Sequence, residues 1–144
     1  MTPRVALPDV NVLIALVSEQ HEHHAAAHAW FSTVGPWATT PITEAGLIRL
    51  ILNPLVVGSS FDATFARSIL TRLREQGDHR FLADDSSLTD PQIDLTALTG
   101  HRQVTDYHLV NLAAIHGCAL ATFDARLEAS LAPADRAHIH VIPA

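Results

Sequence analysis

The sequence predicts an α/β fold, a three-layer α/β/α sandwich around a mostly parallel, Rossmann-like sheet, because short apolar runs alternate with longer segments of helical periodicity. Gly, Pro, Asn and Thr punctuate the junctions between these runs. With 48% hydrophobic residues, a chain of 144 residues buries enough apolar surface to fold without a disulfide or metal staple.

Val5-Ala6-Leu7 reads as the first strand, Asn11 to Ser18 as the first helix and His23 to Thr33 as the second, broken by Gly35-Pro36. Trp37-Ala38-Thr39 makes a short strand. Thr40 is an N-cap before Pro41, and Leu47, Ile48, Ile51 and Leu52 recur at helical spacing until Asn53-Pro54 stops that helix. Ser59 and Asp62 form a capping pair for a helix with Phe65, Ile69, Leu70 and Leu73 on one face, Arg67, Arg72 and Arg74 on the other, and Gly77 at its close. His79 to Ala83 is the third strand, and residues 84–100 are loop with a short helical turn. Thr105-Asp106 opens a helix with Leu109, Leu112, Ala113 and His116 on one face and Gly117 past its end. Cys118 to Thr122 is the next strand, followed by Asp124, a helical segment from Arg126 to Leu131, and a final edge strand from His138 to Ile142. No repeat, linker or low-complexity tract divides the chain, so one domain over residues 1–144 is expected.

The formal charge is −6, and all nine basic residues are Arg. Mechanisms that need a catalytic lysine are excluded. Without a basic excess, a phosphate-rich partner has to be met by local groups or bridging cations. Cys118 is the lone cysteine, so no internal disulfide forms; a buried thiol in a reducing compartment is expected. Met1-Thr2-Pro3-Arg4 and the residues up to Asp9 offer no signal-peptide core. The longest apolar stretch, Val12 to Val17, is far short of the roughly 20 residues of a membrane span. A cytoplasmic protein with no membrane association follows as the expectation.

The informative acids stand at element junctions: Asp9 after the first strand, Glu44 and Asp106 in first helical turns, and Asp124 after a late strand. Taken singly, each is an ordinary turn residue or a complement to a helix dipole. In a parallel sheet, however, all four junctions lie on the carboxyl side, where open α/β folds bind their ligands. Each acid also has a small polar neighbour able to orient it: Asn11, Thr43, Thr105 and Thr122. Four gathered carboxylates repel one another, which a divalent cation relieves, and hard oxygen donors favour Mg²⁺ or Mn²⁺.

Asp9-Val-Asn11-Val-Leu-Ile-Ala-Leu, Thr40-Pro-Ile-Thr-Glu44, Arg102-Gln-Val-Thr105-Asp106 with Leu109-Val-Asn-Leu-Ala-Ala, and Ala121-Thr122-Phe123-Asp124 stand in an order that resembles the PIN-domain ribonucleases. The nearest likeness is to the toxin half of VapBC toxin–antitoxin pairs. The resemblance implies a PIN-like sandwich, a Mg²⁺- or Mn²⁺-dependent endoribonuclease acting on structured RNA, a homodimer, and a VapB-type antitoxin whose tail covers the site. It implies Asp9 as first metal ligand, Asp106 and Asp124 next, and Glu44 as a further ligand or proton acceptor, with Asn11, Thr105 and Thr122 orienting them. Metal-activated water would attack the phosphodiester in line, leaving a 3′-hydroxyl and a 5′-phosphate.

Arg102 and Arg126 flank the acids and suit phosphate contacts, with an ordinary surface ion pair as the alternative. His21, His23, His24 and His28 read as a polar helix start near the site, with an RNA-contacting role as the alternative ahead of a transition-metal site. His108 and His116 read as packing or surface residues, Arg67, Arg72 and Arg74 as a solvated or dimer-facing surface, and Trp30, Phe31 and Trp37 as core. An aspartyl-phosphate phosphohydrolase of the haloacid dehalogenase kind fits poorly, since Asn11 stands at its general-acid position and no lysine exists. A non-catalytic PIN-like binding protein is the other rival.

Overall fold

The structure, a computed structural model, describes residues 4–144. The first three positions, part of the stretch read against a signal peptide, lie outside the described residues. Five strands form one entirely parallel sheet: β1 (Ala6–Pro8), β2 (Pro36–Thr39), β3 (Asp78–Phe81), β4 (Ala119–Thr122) and β5 (Ile139–Val141), in the order β3-β2-β1-β4-β5. The helices are α1 (Val10–Val17), α2 (His24–Phe31), α3 (Pro41–Ile51), α4 (Pro54–Val57), α5 (Ala63–Arg74), α6 (Val104–His116) and α7 (Ala125–Ser130). The expected sandwich is present, with the sheet wholly rather than mostly parallel.

Strand alternation builds two cores. Ala6, Trp37 and Ala121 face a core shared with α1, α2, α3 and α5, while their neighbours Leu7, Ala38 and Leu120 face a second core with α6 and α7. Central strands covered on both sides read as unbroken apolar runs. α1 is buried from Val12 through Leu16, because α2 and α3 enclose it. The approach of α3 depends on Gly46, where a Cβ would stand 2.6 Å from Val10 Cγ2. On the other layer, α6 buries Tyr107 and every residue from Leu109 to Ala113, and Gly117, at φ +66°, ends it in the left-handed region. Truncating Leu112, fully buried there, to Ala costs about 2–5 kcal/mol.

Several boundaries differ from expectation, each for a local reason. α1 starts at Val10 because Asp9 is its cap. Pro54 does not end helical structure; Asn53 accepts the Leu55 N–H at 3.0 Å and Pro54 opens the short α4. Asp62 caps α5 alone, accepting the Phe65 N–H at 2.8 Å, and Ser59 takes no part. Phe65 itself is exposed. β3 begins one residue early and ends at Phe81, because its pairing with the four residues of β2 runs from Pro36↔Asp78 to Thr39↔Phe81. α6 opens at Val104 behind a 3₁₀ turn (His101–Gln103), which puts Thr105 inside the helix rather than before it. His138 ends a 3₁₀ segment (Pro133–His138), so the final edge strand is only β5.

Residues 84–100 are loop with one 3₁₀ turn (Leu95–Ala97), as expected, and are tied down as a strap along α6. Asp84 meets His108 Nε2 at 2.7 Å, Asp85 meets His116 Nε2 at 2.6 Å, Gln92 N–H donates to Asn111 Oδ1 at 2.7 Å, and Ile93 is buried. His116 is therefore a strap contact and not part of the apolar face. Trp37 is fully buried, as expected, with its indole N–H on Gln76 O at 2.9 Å. Cys118 is a buried free thiol, its pKa pushed up by burial. Among the described residues no helix is long and apolar enough to cross a membrane.

Candidate active site

Strand order fixes where a ligand can enter. From β1 the chain winds outward to β2 and β3, then returns to the other side of β1 with β4 and β5, so the switch point lies between the carboxyl ends of β1 and β4. Asp9 follows β1 and Asp124 follows β4. Asp9 N–H donates to Ala121 O at 2.9 Å, which locks the two strand ends together. Asp9 is 5% exposed, and its Oδ1 accepts the Val12 N–H at 2.9 Å as the cap of α1. Asp124 repeats the arrangement for α7, its Oδ1 accepting from Arg126 N at 2.9 Å and Leu127 N at 3.1 Å. Capping thus engages one oxygen of each carboxylate and fixes its rotamer. Between them, the buried Thr122 favours the charged form of Asp9, and its hydroxyl accepts the Asp124 N–H at 3.1 Å.

Asp106 joins these two from the first turn of α6. Burial, then the charges of Asp9 and Asp124, push its pKa up to about 6. Burial also raises Asp9, with Asp124 adding to the rise, against the Thr122 hydroxyl and the Val12 and Asn11 backbone N–H groups, which favour its charged form. Among the described residues no Arg pairs with these three carboxylates, and together they are the hard, mutually repelling donor set that Mg²⁺ or Mn²⁺ takes. Among the described residues no three His, Cys, Asp or Glu side chains already stand at metal-holding distance, so the trio is an electrostatic cluster and not a closed ligand cage.

Glu44 is built differently. Its Oε2 accepts the Thr39 hydroxyl at 2.5 Å and pairs with Arg74 Nη1 at 3.3 Å, while the Arg74 guanidinium lies 5.1 Å from the Phe81 ring centre. Thr39 has one proton, given to Glu44, so it accepts from His79 Nε2 at 2.8 Å. Burial, then the nearby Arg74, hold the His79 pKa low. Thr43, expected to orient Glu44, instead closes a capping box with Thr40. The sequence reading missed Thr39, Arg74 and His79 as its partners, and Arg74 is not a free surface residue. The available signal was that Thr39 ends β2 as Asp9 follows β1.

The remaining candidates divide. Asn11 is exposed at the edge of a cavity of about 370 Å³ beside Thr122 and Asp124. Thr105 is exposed with no hydrogen bond to Asp106 among the described residues, so it does not orient that acid in this structure. Arg102 and Arg126 are exposed near the starts of α6 and α7, and the arginine ion pairs among the described residues involve Arg74 and Arg80 instead. His24 Nδ1 lies 2.7 Å from Ala15 O and His28 Nε2 lies 2.8 Å from Leu16 O, both capping last-turn carbonyls of α1. His21 and His23 line the cavity.

Residues 6–130 match the family model described as PIN domain. Ribonuclease VapC38 of Mycobacterium tuberculosis is 50% identical over 124 residues, covering 84% of this chain and 86% of the relative. Ribonuclease VapC39 is 46% identical over 125 residues (85% and 90%), and ribonuclease VapC29 is 38% identical over 136 residues (93% and 90%), both from the same organism. With the matched span running through all four junction acids, and these identities holding over most of its length, the chain belongs to the PIN-domain family, alongside the VapC proteins.

Proposed function

We propose that this chain is a Mg²⁺- or Mn²⁺-dependent endoribonuclease that cleaves structured RNA, acting in the cytoplasm as the toxin of a toxin–antitoxin pair, with one PIN domain spanning residues 1–144. The observation that carries the reading is the convergence of Asp9, Asp106 and Asp124 at the β1/β4 switch point, where burial of Asp9 and Asp106 and the like charge of the exposed Asp124 beside them favour a bound cation. The ribonuclease names of the relatives agree with it.

Asp9, Asp106 and Asp124 would hold the metal. When bound, a divalent cation supplies Lewis acidity toward a phosphodiester and an ionised water at neutral pH. The chain's own part is preorganisation: helix caps aim Asp9 and Asp124, and Thr122 favours the charged form of Asp9 against the burial that raises its pKa. Glu44 is the outer fourth carboxylate, a direct ligand or proton acceptor only once it leaves Arg74. Arg102 and Arg126 contact backbone phosphates, and Asn11 reaches the cavity edge. A VapB-type antitoxin and a second copy of the chain are the protein partners, and the exposed Leu52, Leu55, Val56, Phe61 and Phe65 offer them apolar surface.

Sequencing of newly formed 5′ ends tests the reading, after the purified protein meets total RNA with Mg²⁺ or with excess EDTA. Discrete 5′-phosphate ends that require Mg²⁺ are expected, suppressed by the antitoxin; undiminished cleavage in EDTA would remove the mechanism. The unclosed ligand set favours one second reading, a non-catalytic PIN-like binding protein. Calorimetric titration with Mn²⁺ separates the two, because that reading requires no binding at the acids.

A further inference from the structure

The cavity beside Asp124 has an aromatic wall. The His23 ring stacks on Phe123 with centroids 4.7 Å apart and planes at 30°, and His21 lies 5.7 Å from His23. His23 keeps 34% of its side chain exposed, so the stack ends in an open ring face or edge rather than in packed core. Hydrogen-bonding groups surround it. His21 Nδ1 accepts the His23 backbone N–H at 3.0 Å, which places the proton of the neutral ring on Nε2, and Asn11 and Glu22 stand on the same cavity. His24 and His28 are spent on α1 carbonyls, so the four-histidine run splits into a structural pair and a pair that faces the cleft.

A phosphodiester held at Asp9, Asp106 and Asp124 brings its flanking nucleotides against this wall. Unpaired RNA bases are recognised by stacking on aromatic rings while polar groups read their edges. We infer that the His23–Phe123 stack is a base platform: it receives the unstacked base next to the scissile phosphate, with His21, Asn11 and Glu22 along the base edge. The inference rests on the ribonuclease reading and makes His23 a positioning residue for that reaction.

A base-deletion cycle tests it. A pool of hairpin RNAs with randomised loops is cut with Mn²⁺, and the best-cleaved RNA is resynthesised with an abasic site at each position flanking the cut. The wild-type protein is expected to lose about 5- to 150-fold in kcat/KM at one of these positions, the range that loss of one base–aromatic stack produces. His23→Leu, which keeps apolar contact with Phe123, should cut intact and abasic RNAs at equal rates there, while His23→Tyr retains the penalty. Thermal unfolding of both variants shows whether the loop still packs. An equal abasic penalty in wild type and folded His23→Leu overturns the platform, as does no penalty at any position in wild type. A wild-type protein that cuts no RNA in the pool with either Mn²⁺ or Mg²⁺ instead overturns the ribonuclease reading beneath it.

Discussion

Two corners of one sheet edge carry acids at strand ends and are built on opposite electrostatic plans. Between β1 and β4, three carboxylates gather with no Arg ion pair among the described residues, and burial, then the charges of Asp9 and Asp124, push the Asp106 pKa up to about 6. One strand over, at the end of β2, Glu44 receives a hydroxyl from Thr39 and a guanidinium from Arg74. The chemistry of the side chains is shared; the supply of positive charge is not. The first corner stays charged at neutral pH only against its own repulsion, which an external cation removes, whereas the second is already neutralised from within.

The sharpest way to break this contrast is by paired substitutions. Asp9→Asn is expected to lower RNA cleavage by more than about 100-fold, beyond the loss typical of an outer-shell partner. Its fold should stand, because Asn still accepts the Val12 N–H as a cap and a buried charge disappears. Glu44→Gln should cost about tenfold or less. Cleavage rates with thermal unfolding of both variants check the ranking, and equal losses would erase the distinction. Mn²⁺ supplies the next effect: at 100 times its Kd it should stabilise the wild-type fold by about 2.7 kcal/mol. Much of that gain should vanish in Asp106→Asn and little of it in Glu44→Gln, read as shifts of Tm.

Proton linkage gives a third test. Asp106 in the folded chain holds its proton up to about 6, while in the unfolded chain it ionises near 3.8. Between those values the folded state binds more protons, so stability must fall as pH rises through the window. Denaturant unfolding in EDTA should therefore show stability dropping from about pH 4 to about pH 6 and levelling above it, with the drop reduced in Asp106→Asn. Metal reverses the trend, because it competes with the proton and binds more tightly as pH rises.

The switch-point corner was legible in the sequence because its logic is local. Asp9 and Asp124 each sit where a strand pattern gives way to a helix, and the backbone N–H groups they cap lie two or three positions on. The parallel sheet could be read from the same alternation, since covered strands such as Leu120-Ala121 are apolar on both sides. The Glu44 corner hid its logic in distance. Arg74 belongs to a helix whose periodicity put it on a solvated face; the packing of α5 on α3 brings it to Glu44, and the pairing of β2 with β3 brings His79 to Thr39. Thr105 shows the opposite case: adjacency suggested a hydrogen bond to Asp106, but the 3₁₀ turn before α6 moves the helix start to Val104 and Thr105 stands exposed inside the helix. His21, His23, His24 and His28 looked alike in sequence because the carbonyls and the ring that separate them, Ala15, Leu16 and Phe123, belong to other elements.

The smallest effect is the one that isolates the contrast. Arg74→Gln keeps length and polarity and removes only the charge that satisfies Glu44. The pair is part-exposed, with 41% of the Arg74 side chain and 15% of the Glu44 side chain accessible, so solvent screens it and the loss in stability should be about 0.2–1 kcal/mol. Its electrostatic consequence is more telling than its stability. Glu44 keeps the Thr39 hydrogen bond but becomes a fourth carboxylate without a cation, so Mn²⁺ should bind a few-fold more tightly than to the wild-type protein, by calorimetry at low ionic strength. The gain should fade with added salt, as expected for a through-space charge effect over a part-exposed edge. Unchanged Mn²⁺ affinity in a folded Arg74→Gln would mean that Glu44 is too far from the trio for its charge to matter, and that the two corners are electrostatically separate rather than one site with a guarded fourth acid.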